Sequence, residues 1–443
     1  MQLPEKVNFN WQSVLQSALL DNTINIHEIV SENSEIAADL KNADTAYEYW
    51  DKARYTVLPE NISPELFWSI VKFRRSGLYI EKIKFGIYAF KYLINPEILK
   101  KIAFIDSFSI KTSLSLDEEN EYSANAKMEE AIASSRLDGA KVTRKEAKEM
   151  LRVNAPAKNE SERMVISNYR ALSFIEKNTD EPLTPDFIKR IYAVTMNSED
   201  SDIFRKDSHN ARVVDIRDDA VLYEPPKAAD IEMLLNVFCE YVNAESDSNH
   251  ILKAAAIHFL FAYIHPFNDG SGRIARVLFY WYILKNNLNA FKYLTLSKIL
   301  RAIPSQYAKA FLYAEIDESD ITYFINFVLD VIIEAINNFN DYLENKKEVS
   351  GNSKITEVLI RPELKLNPRQ ESIMREFTAN QNSRNIEYFK NKLGIVYETA
   401  RTDLMFLAKK GLLAKTKKGK EFVYSLSKKY LRELQSGEKA DKN

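Results

Sequence analysis

The chain has 443 residues, 45% hydrophobic and 28% charged, the balance of a soluble globular protein with room for two to four domains. A net charge of −2 gives no global attraction to nucleic acid or membranes. A single cysteine, Cys239, excludes an intrachain disulfide and fits a reducing compartment, and 10 glycines with 13 prolines favour long helices over tight turns.

Residues 1–12 are polar and lack the apolar core of a signal peptide. The longest apolar runs, such as residues 277–284, are too short to cross a bilayer. Cys239 lies in an apolar run and reads as a core residue. These features predict a cytoplasmic protein with no membrane partner.

Residues 1–110 read as a helical N-terminal region, with helical apolar spacing at 11–20, 64–78 and 83–93. The aromatics Tyr47, Tyr49 and Trp50 read as packing residues. A polar loop is expected over 111–124, then a helix over 128–137 ended by Gly139. Asp138 sits where a carboxylate opposes the helix dipole, at a cost of roughly a few tenths of a kcal/mol, so it either faces water or meets a cation. Helix resumes over 143–151 and breaks at Pro156. Asn159 caps a helix over 161–175, Thr184 and Pro185 open another, and the pattern stops near Ser198.

Residues 203–226 differ. Two β-like runs, 212–216 and 220–223, are closed by Pro225 and Pro226, which predicts a β-hairpin. Apolar helices follow over 231–242 and 252–264. His258 and His265 are seven apart and share a helical face, but no third ligand is spaced for a metal, so His258 reads as a core residue. Residues 277–284 are apolar on every side and predict a buried central helix. Helices over 305–313 and 321–342 complete a bundle, with Asp317, Glu318, Ser319 and Asp320 as a solvated cap between them.

A polar linker is expected over 346–365. Residues 366–430 then read as three short helices and two strands around the basic turn Lys417, Lys418, Gly419 and Lys420, a winged-helix pattern. Arg401, Lys409, Lys410 and Lys415 add to the local positive charge. Binding of DNA fits this end, and so does a protein-interaction or dimerisation role that would make the protein a homodimer.

The stretch from His265 to Arg276 carries the chemistry. Gly270 and Gly272 permit backbone angles closed to other residues, so successive N–H groups can line one hollow. That hollow lies at a helix N-terminus, where free N–H groups and the dipole favour an anion. Arg273 and Arg276 are three apart, share a face and can hold two phosphate groups. Asp269 is a hard oxygen ligand suited to Mg2+. His265 is left to act as a base.

His265, Pro266, Phe267, Asp269, Gly270, Gly272, Arg273 and Arg276 together resemble the core motif of the Fic family. Ser271 stands where the family usually has Asn; it can still donate to a phosphate oxygen, with shorter reach. The resemblance implies a mainly α protein: a Fic helical bundle over 125–345 with a β-hairpin flap at 203–226, an N-terminal helical region and a C-terminal winged helix. It implies a protein adenylyltransferase that moves AMP from ATP, with Mg2+, to a Tyr, Thr or Ser hydroxyl of a target protein or of itself. His265 would be the base, Asp269 the metal ligand, and Gly270, Ser271, Gly272, Arg273 and Arg276 the phosphate-binding set, with Phe267 fixing the loop.

Ser134 and Asp138-Gly139 match the family's inhibitory-helix motif over 127–139, with Asp in place of Glu. Asp138 is then expected to face Arg276, less firmly for its shorter side chain. Other readings of the same site are transfer from another nucleotide donor, phosphate transfer, and removal of AMP; Gly272 favours AMP over phosphate transfer. A reading from another class is a DNA-binding regulator whose core senses nucleotide.

Overall fold

The computed structural model describes residues 3–25, 34–108, 116–198, 200, 203–206, 213–214, 221–245, 249–359, 366–380, 383–418 and 421–431. The chain divides into two compact units, residues 1–339 and 340–443. It is mainly α, with small antiparallel sheets.

The first unit begins with α1 (Trp11–Leu20), α2 (Ala37–Ala46), α3 (Trp50–Ala53) and α4 (Pro64–Ser76). Tyr47, Tyr49 and Trp50 are buried, as their aromatic character predicts. Residues 79–93 correct the expectation of helix there. They form a hairpin, β1 (Tyr79–Phe85) and β2 (Tyr88–Leu93), with Phe85 paired to Tyr88 across a two-residue turn. Ile83, Phe85, Phe90 and Tyr92 are buried on alternate positions, which is the strand period. Gly86, at φ +61°, makes the turn.

Next come α5 (Pro96–Asp106) and α6 (Leu116–Leu137). Part of the expected 111–124 loop is therefore helical, because Asp117, Glu118 and Glu119 sit in the first turn, against the positive end of the dipole. A capping box between Thr143 and Glu146 starts α7 (Arg144–Arg152). Asn159 caps α8 (Glu160–Lys177), and Thr184 with Pro185 starts α9 (Pro185–Met196). Within the expected 203–226 flap, β3 (Val213–Val214) pairs antiparallel with β4 (Val221–Tyr223); residues 207–212 and 215–220 lie outside the described residues.

The core of this unit is a pair of antiparallel helices. They are α11 (His250–Ile264), which follows α10 (Ile231–Asn243), and α12 (Ser271–Lys285). Every residue of α12 from Arg273 to Leu284 is buried. Each fully buried Leu, Ile or Phe there stabilises by about 1.5–3 kcal/mol, so this helix can hold polar residues at its start without coming loose. His258 is buried among aromatics and 2.8 Å from the Tyr307 hydroxyl; burial, with Arg276 nearby, lowers its pKa to about 3. Around the pair lie α8 and α9, while α6 packs on α8 and on α13 (Leu296–Ala302).

The segment between α14 (Pro304–Ile316) and α15 (Thr322–Leu359) corrects the reading of a solvated acidic cap. Asp317 and Asp320 are buried at 4% and 0% exposure. Lys72 Nζ pairs with Asp317 at 2.8 Å, and Tyr323 donates to the same carboxylate at 2.8 Å. Asp320 accepts from the Tyr47 and Tyr79 hydroxyls at 2.5 and 2.9 Å and from the Thr322 N–H at 2.9 Å. Arg75, stacked on Tyr47, donates to Tyr323 and to the Ala43 and Glu48 carbonyls. Besides the local Thr322 and Tyr323, the partners Lys72, Tyr47 and Tyr79 come from α4, the end of α2 and β1, far away in sequence, which is why composition reads as solvation what is burial.

The helix α15 runs to Leu359, so residues 346–359 are helical where a linker is predicted; residues 360–365 lie outside the described residues. Lys and Glu make a segment polar but are good helix formers. The second unit contains α16 (Pro368–Asn380), β5 (Arg384–Asn385), α17 (Ile386–Leu393), α18 (Tyr397–Lys409), β6 (Leu413–Lys418) and β7 (Glu421–Leu426). Its sheet has the order β5-β7-β6, and Ile373, Phe377, Phe389, Leu404, Leu407 and Tyr424 are among its core. Among the described residues no helix is long and apolar enough to cross a membrane.

The buried acidic cluster makes a stability prediction. Lys72→Ala leaves Asp317 without its nearest cation and lowers the unfolding free energy of the first unit by about 3–5 kcal/mol. Tryptophan fluorescence during urea unfolding reads this unit alone, since Trp11, Trp50, Trp68 and Trp281 all lie in it. A loss below about 1 kcal/mol, the value of an exposed pair, would contradict the buried assignment.

Candidate active site

The site is built at the corner between α11 and α12. His265 ends α11 in the left-handed region (φ 47°, ψ 59°), its N–H bonded to the Phe261 carbonyl at 3.1 Å. A non-glycine residue there is uncommon and needs a surrounding that holds it. Phe267 supplies part of that surrounding: fully buried, its ring lies 4.3 Å from Tyr192 and stacks on Phe204 at 5.7 Å. Arg205 supplies the rest. Buried itself, it donates from Nε to the His265 carbonyl at 2.7 Å and from Nη2 to the Pro226 carbonyl, while its backbone N–H donates to Pro266 at 3.0 Å.

Gly270 follows at φ +84°, and a Cβ there would come within 2.6 Å of Met196 Sδ. The angle calls for glycine, and a Cβ would in addition displace the Met196 side chain. The next helix starts at once, so the N–H groups of Ser271, Gly272 and Arg273 have no partner within it. Ser271 is buried, and its hydroxyl exchanges hydrogen bonds with the Phe267 N–H and carbonyl, both at 3.2 Å. It is thus turned to the loop backbone. Asp269 is 65% exposed; it accepts from the Gly270 N–H at 2.6 Å and from Arg273 Nη2 at 3.0 Å.

Two guanidiniums are buried on the first turns of α12. Arg276 donates from Nε to Ser134 Oγ at 2.9 Å, and from Nη2 to the Ser134 carbonyl at 3.2 Å and to Asp138 Oδ1 at 2.6 Å. Arg273 Nε lies 3.4 Å from Asp138 Oδ2 and, though buried, makes no hydrogen bond. Burial pulls the Arg276 pKa down, but Asp138 and Tyr307 more than offset it and the net shift is upward. Gly272 keeps room for this group: a Cβ would sit 3.3 Å from Arg276 Nη1 and 3.6 Å from Asp138 Oδ1.

Burial and then Arg205 lower the His265 pKa from 6.5 to about 4, so the imidazole is neutral at pH 7. A hydrogen bond to the Ala262 backbone partly opposes that shift and orients the ring. One nitrogen donates there and the other is left with its lone pair, the form a general base needs. Among the described residues no group of three or more His, Cys, Asp or Glu side chains clusters to hold a metal. Asp269 alone fits a cation that takes most of its ligands from phosphates and water, as Mg2+ does.

The structure therefore brings His265, Asp269, Gly270, Gly272, Arg273, Arg276, Ser134 and Asp138 to one place, with Phe267 beneath them and Ser271 facing away. Arg205, Tyr192, Phe204 and Tyr307 are additions that spacing does not reveal. Arg205 bonds mainly to backbone carbonyls, which leave no trace in sequence.

Residues 182–283 match the Fic/DOC family model. A fragment of Fic-1 from C. elegans is 16% identical, over 77% of this chain and 90% of that one, with a TM-score of 0.51. A Fic family protein from Desulfovibrio desulfuricans is also 16% identical, over 76% of this chain and 98% of that one, with a TM-score of 0.48. At this identity the likeness to Fic-1 is one of fold. Residues 182–283, which hold the whole α11–α12 corner, form a Fic/DOC family domain.

Proposed function

We propose that the protein is an adenylyltransferase that moves AMP from ATP to a Tyr, Thr or Ser hydroxyl of a protein, and that Asp138 restrains it. The observation that carries this reading is the pair of buried arginines at a free helix N-terminus, beside an imidazole held neutral. The first-turn N–H groups of α12 would bind the α-phosphate, and Arg273 and Arg276 the β- and γ-phosphates. Asp269 would hold Mg2+, which when bound neutralises phosphate charge.

His265 would take the proton from the attacking hydroxyl as the new O–P bond forms at the α-phosphorus and the bond to the β-phosphate oxygen breaks. The products are an AMP ester and pyrophosphate. Positioning and charge neutralisation would supply most of the rate. Asp138 occupies both arginines, so it competes with the phosphates for the same donors. Ser134 holds Arg276 in that pairing. We place the reaction in the cytoplasm, where one buried cysteine needs no partner. The second unit, three helices followed by a hairpin, we assign as a winged helix.

ATP labelled on the α-phosphate tests the assignment in cell lysate with Mg2+. Asp138→Gly raises label in protein by roughly tenfold or more over the parent, the effect of about 1.4 kcal/mol. His265→Ala lowers it by about 100-fold or more in either background. Label carried into protein only from the γ-position would replace AMP transfer by phosphate transfer.

The His265 pKa gives a second test. Its folded value lies below 6.5, near 4, so the neutral base is retained as pH falls from 7 to 5 and is lost only as pH passes about 4. The acid limb of kcat/KM for Asp138→Gly is expected well below 6.5. A limb at or above 6.5 would show that Arg205 and burial do not set the protonation of this base.

A further inference from the structure

The second unit holds a charge that the whole-chain balance hides. Residues 366–443 carry 17 Lys and Arg against 9 Asp and Glu, in a chain with 61 against 63. The acids that have partners are paired on a few cations. Asp403 is buried with Arg369 at 2.9 Å, Glu376 holds Lys392, Glu387 holds Lys390 at 2.6 Å and Glu398 holds Arg401 at 2.7 Å. Among the described residues, Lys409, Lys410, Lys415 and Lys417 are exposed and make no ion pair.

Those lysines lie at the end of α18 and along β6. Lys415 and Lys417 are two apart, on one face of the strand. Phe422, 44% exposed, is paired across from Lys417, and Lys415 Nζ lies 4.0 Å from its ring. The helix α18 buries Ala400, Leu404 and Leu407 in the unit's core and leaves Tyr397, Glu398, Arg401, Thr402 and Met405 exposed on the other side, with Arg401 held by Glu398, a pairing that a nucleic acid would have to displace. At 13 residues it spans about 20 Å, enough to lie along a groove. An exposed helix face that mixes Arg and Thr with apolar side chains suits base edges, and a lysine hairpin beside it suits phosphates.

We propose that the second unit binds duplex DNA, with the exposed face of α18 in the major groove and Lys415 and Lys417 on the phosphate backbone. Charge favours this over an apolar protein partner, because a face carrying lysines without ion pairs is costly to bury against apolar surface. The inference stands apart from the transfer reading.

The test is fluorescence anisotropy of the full chain with a labelled 20-base-pair duplex of mixed sequence, from 50 to 200 mM salt. Binding is expected to weaken steeply with salt, and Lys415→Glu/Lys417→Glu to weaken it by about tenfold or more and reduce the log–log salt slope by about two. Arg401→Ala is expected to broaden the sequences enriched from a random duplex pool. His265→Ala should bind as the parent does, so a failure here and a failure of AMP transfer are separable. Should the double Glu variant lose its helical circular dichroism, Lys415→Gln/Lys417→Gln replaces it. No binding at 50 mM salt, equal binding by the folded variant, or tighter binding of a single-stranded RNA of equal length would overturn the proposal, and so would a concentration-dependent dimer as the only association seen.

Discussion

Two guanidiniums buried at the start of an apolar helix need an anion, and the candidate site is arranged around that need. Arg273 and Arg276 lie at 2% and 5% exposure, where an uncompensated charge is expensive. Asp138 is the counter-charge common to the two, 2.6 Å from Arg276 and 3.4 Å from Arg273. A single carboxylate shared by two arginines leaves one positive charge over, and Asp269, largely in water, offsets it only in part. The Arg273 Nε without a hydrogen bond marks the same shortfall. A polyphosphate brings more negative charge and more acceptor oxygens than Asp138 does. On the proposed function the carboxylate would compete with a better-matched anion, and the outcome would turn on how firmly α6 is held.

That firmness comes from packing. Ser134 is buried against Arg276, and Glu130, one turn earlier on α6, accepts from the Ser297 N–H at 3.0 Å at the start of α13. Burial raises the Glu130 pKa, and the Ser297 contacts resist the rise. On its other side α6 packs on α8, where Asn168 donates to the Ala131 carbonyl at 3.2 Å. A helix tied at both neighbours cannot swing aside cheaply. A change in the Asp138 contact is therefore easier at its last turn, next to Gly139 at φ +97°, than by moving the whole element.

Much of the fold was legible because caps and period are local. Asn159, Thr184 and Pro185 mark helix starts by residue type, and the uniform apolar run over 277–284 marks a helix buried on all sides. Residues 79–93 misled because their apolar residues satisfy both periods, and only Gly86 separates a turn from a helix interior. Asp317 and Asp320 misled because their partners, Lys72, Tyr47 and Tyr79, lie far away in sequence. For Asp138 the dipole argument alone leaves water or a cation; the motif resemblance points to Arg276, and the fold pairs the two at 2.6 Å. Arg205 had no signal, since its partners are carbonyls that any residue carries.

Arg205 also ties geometry to protonation. Its side chain bonds to the His265 and Pro226 carbonyls, so it holds the strained turn while placing a positive charge near the imidazole. Burial first, and then the same arginine that fixes the turn, disfavour protonation of the imidazole. A base this weak is a poor proton acceptor from a free hydroxyl. In the proposed reaction it would become adequate when the hydroxyl is already losing its proton, late in bond formation to phosphorus, and when phosphate negative charge offsets Arg205 and raises the imidazole pKa. On the proposed adenylyl transfer, the nucleotide would complete the base as well as serve as substrate, and proton transfer would be coupled to the presence of a bound phosphate chain.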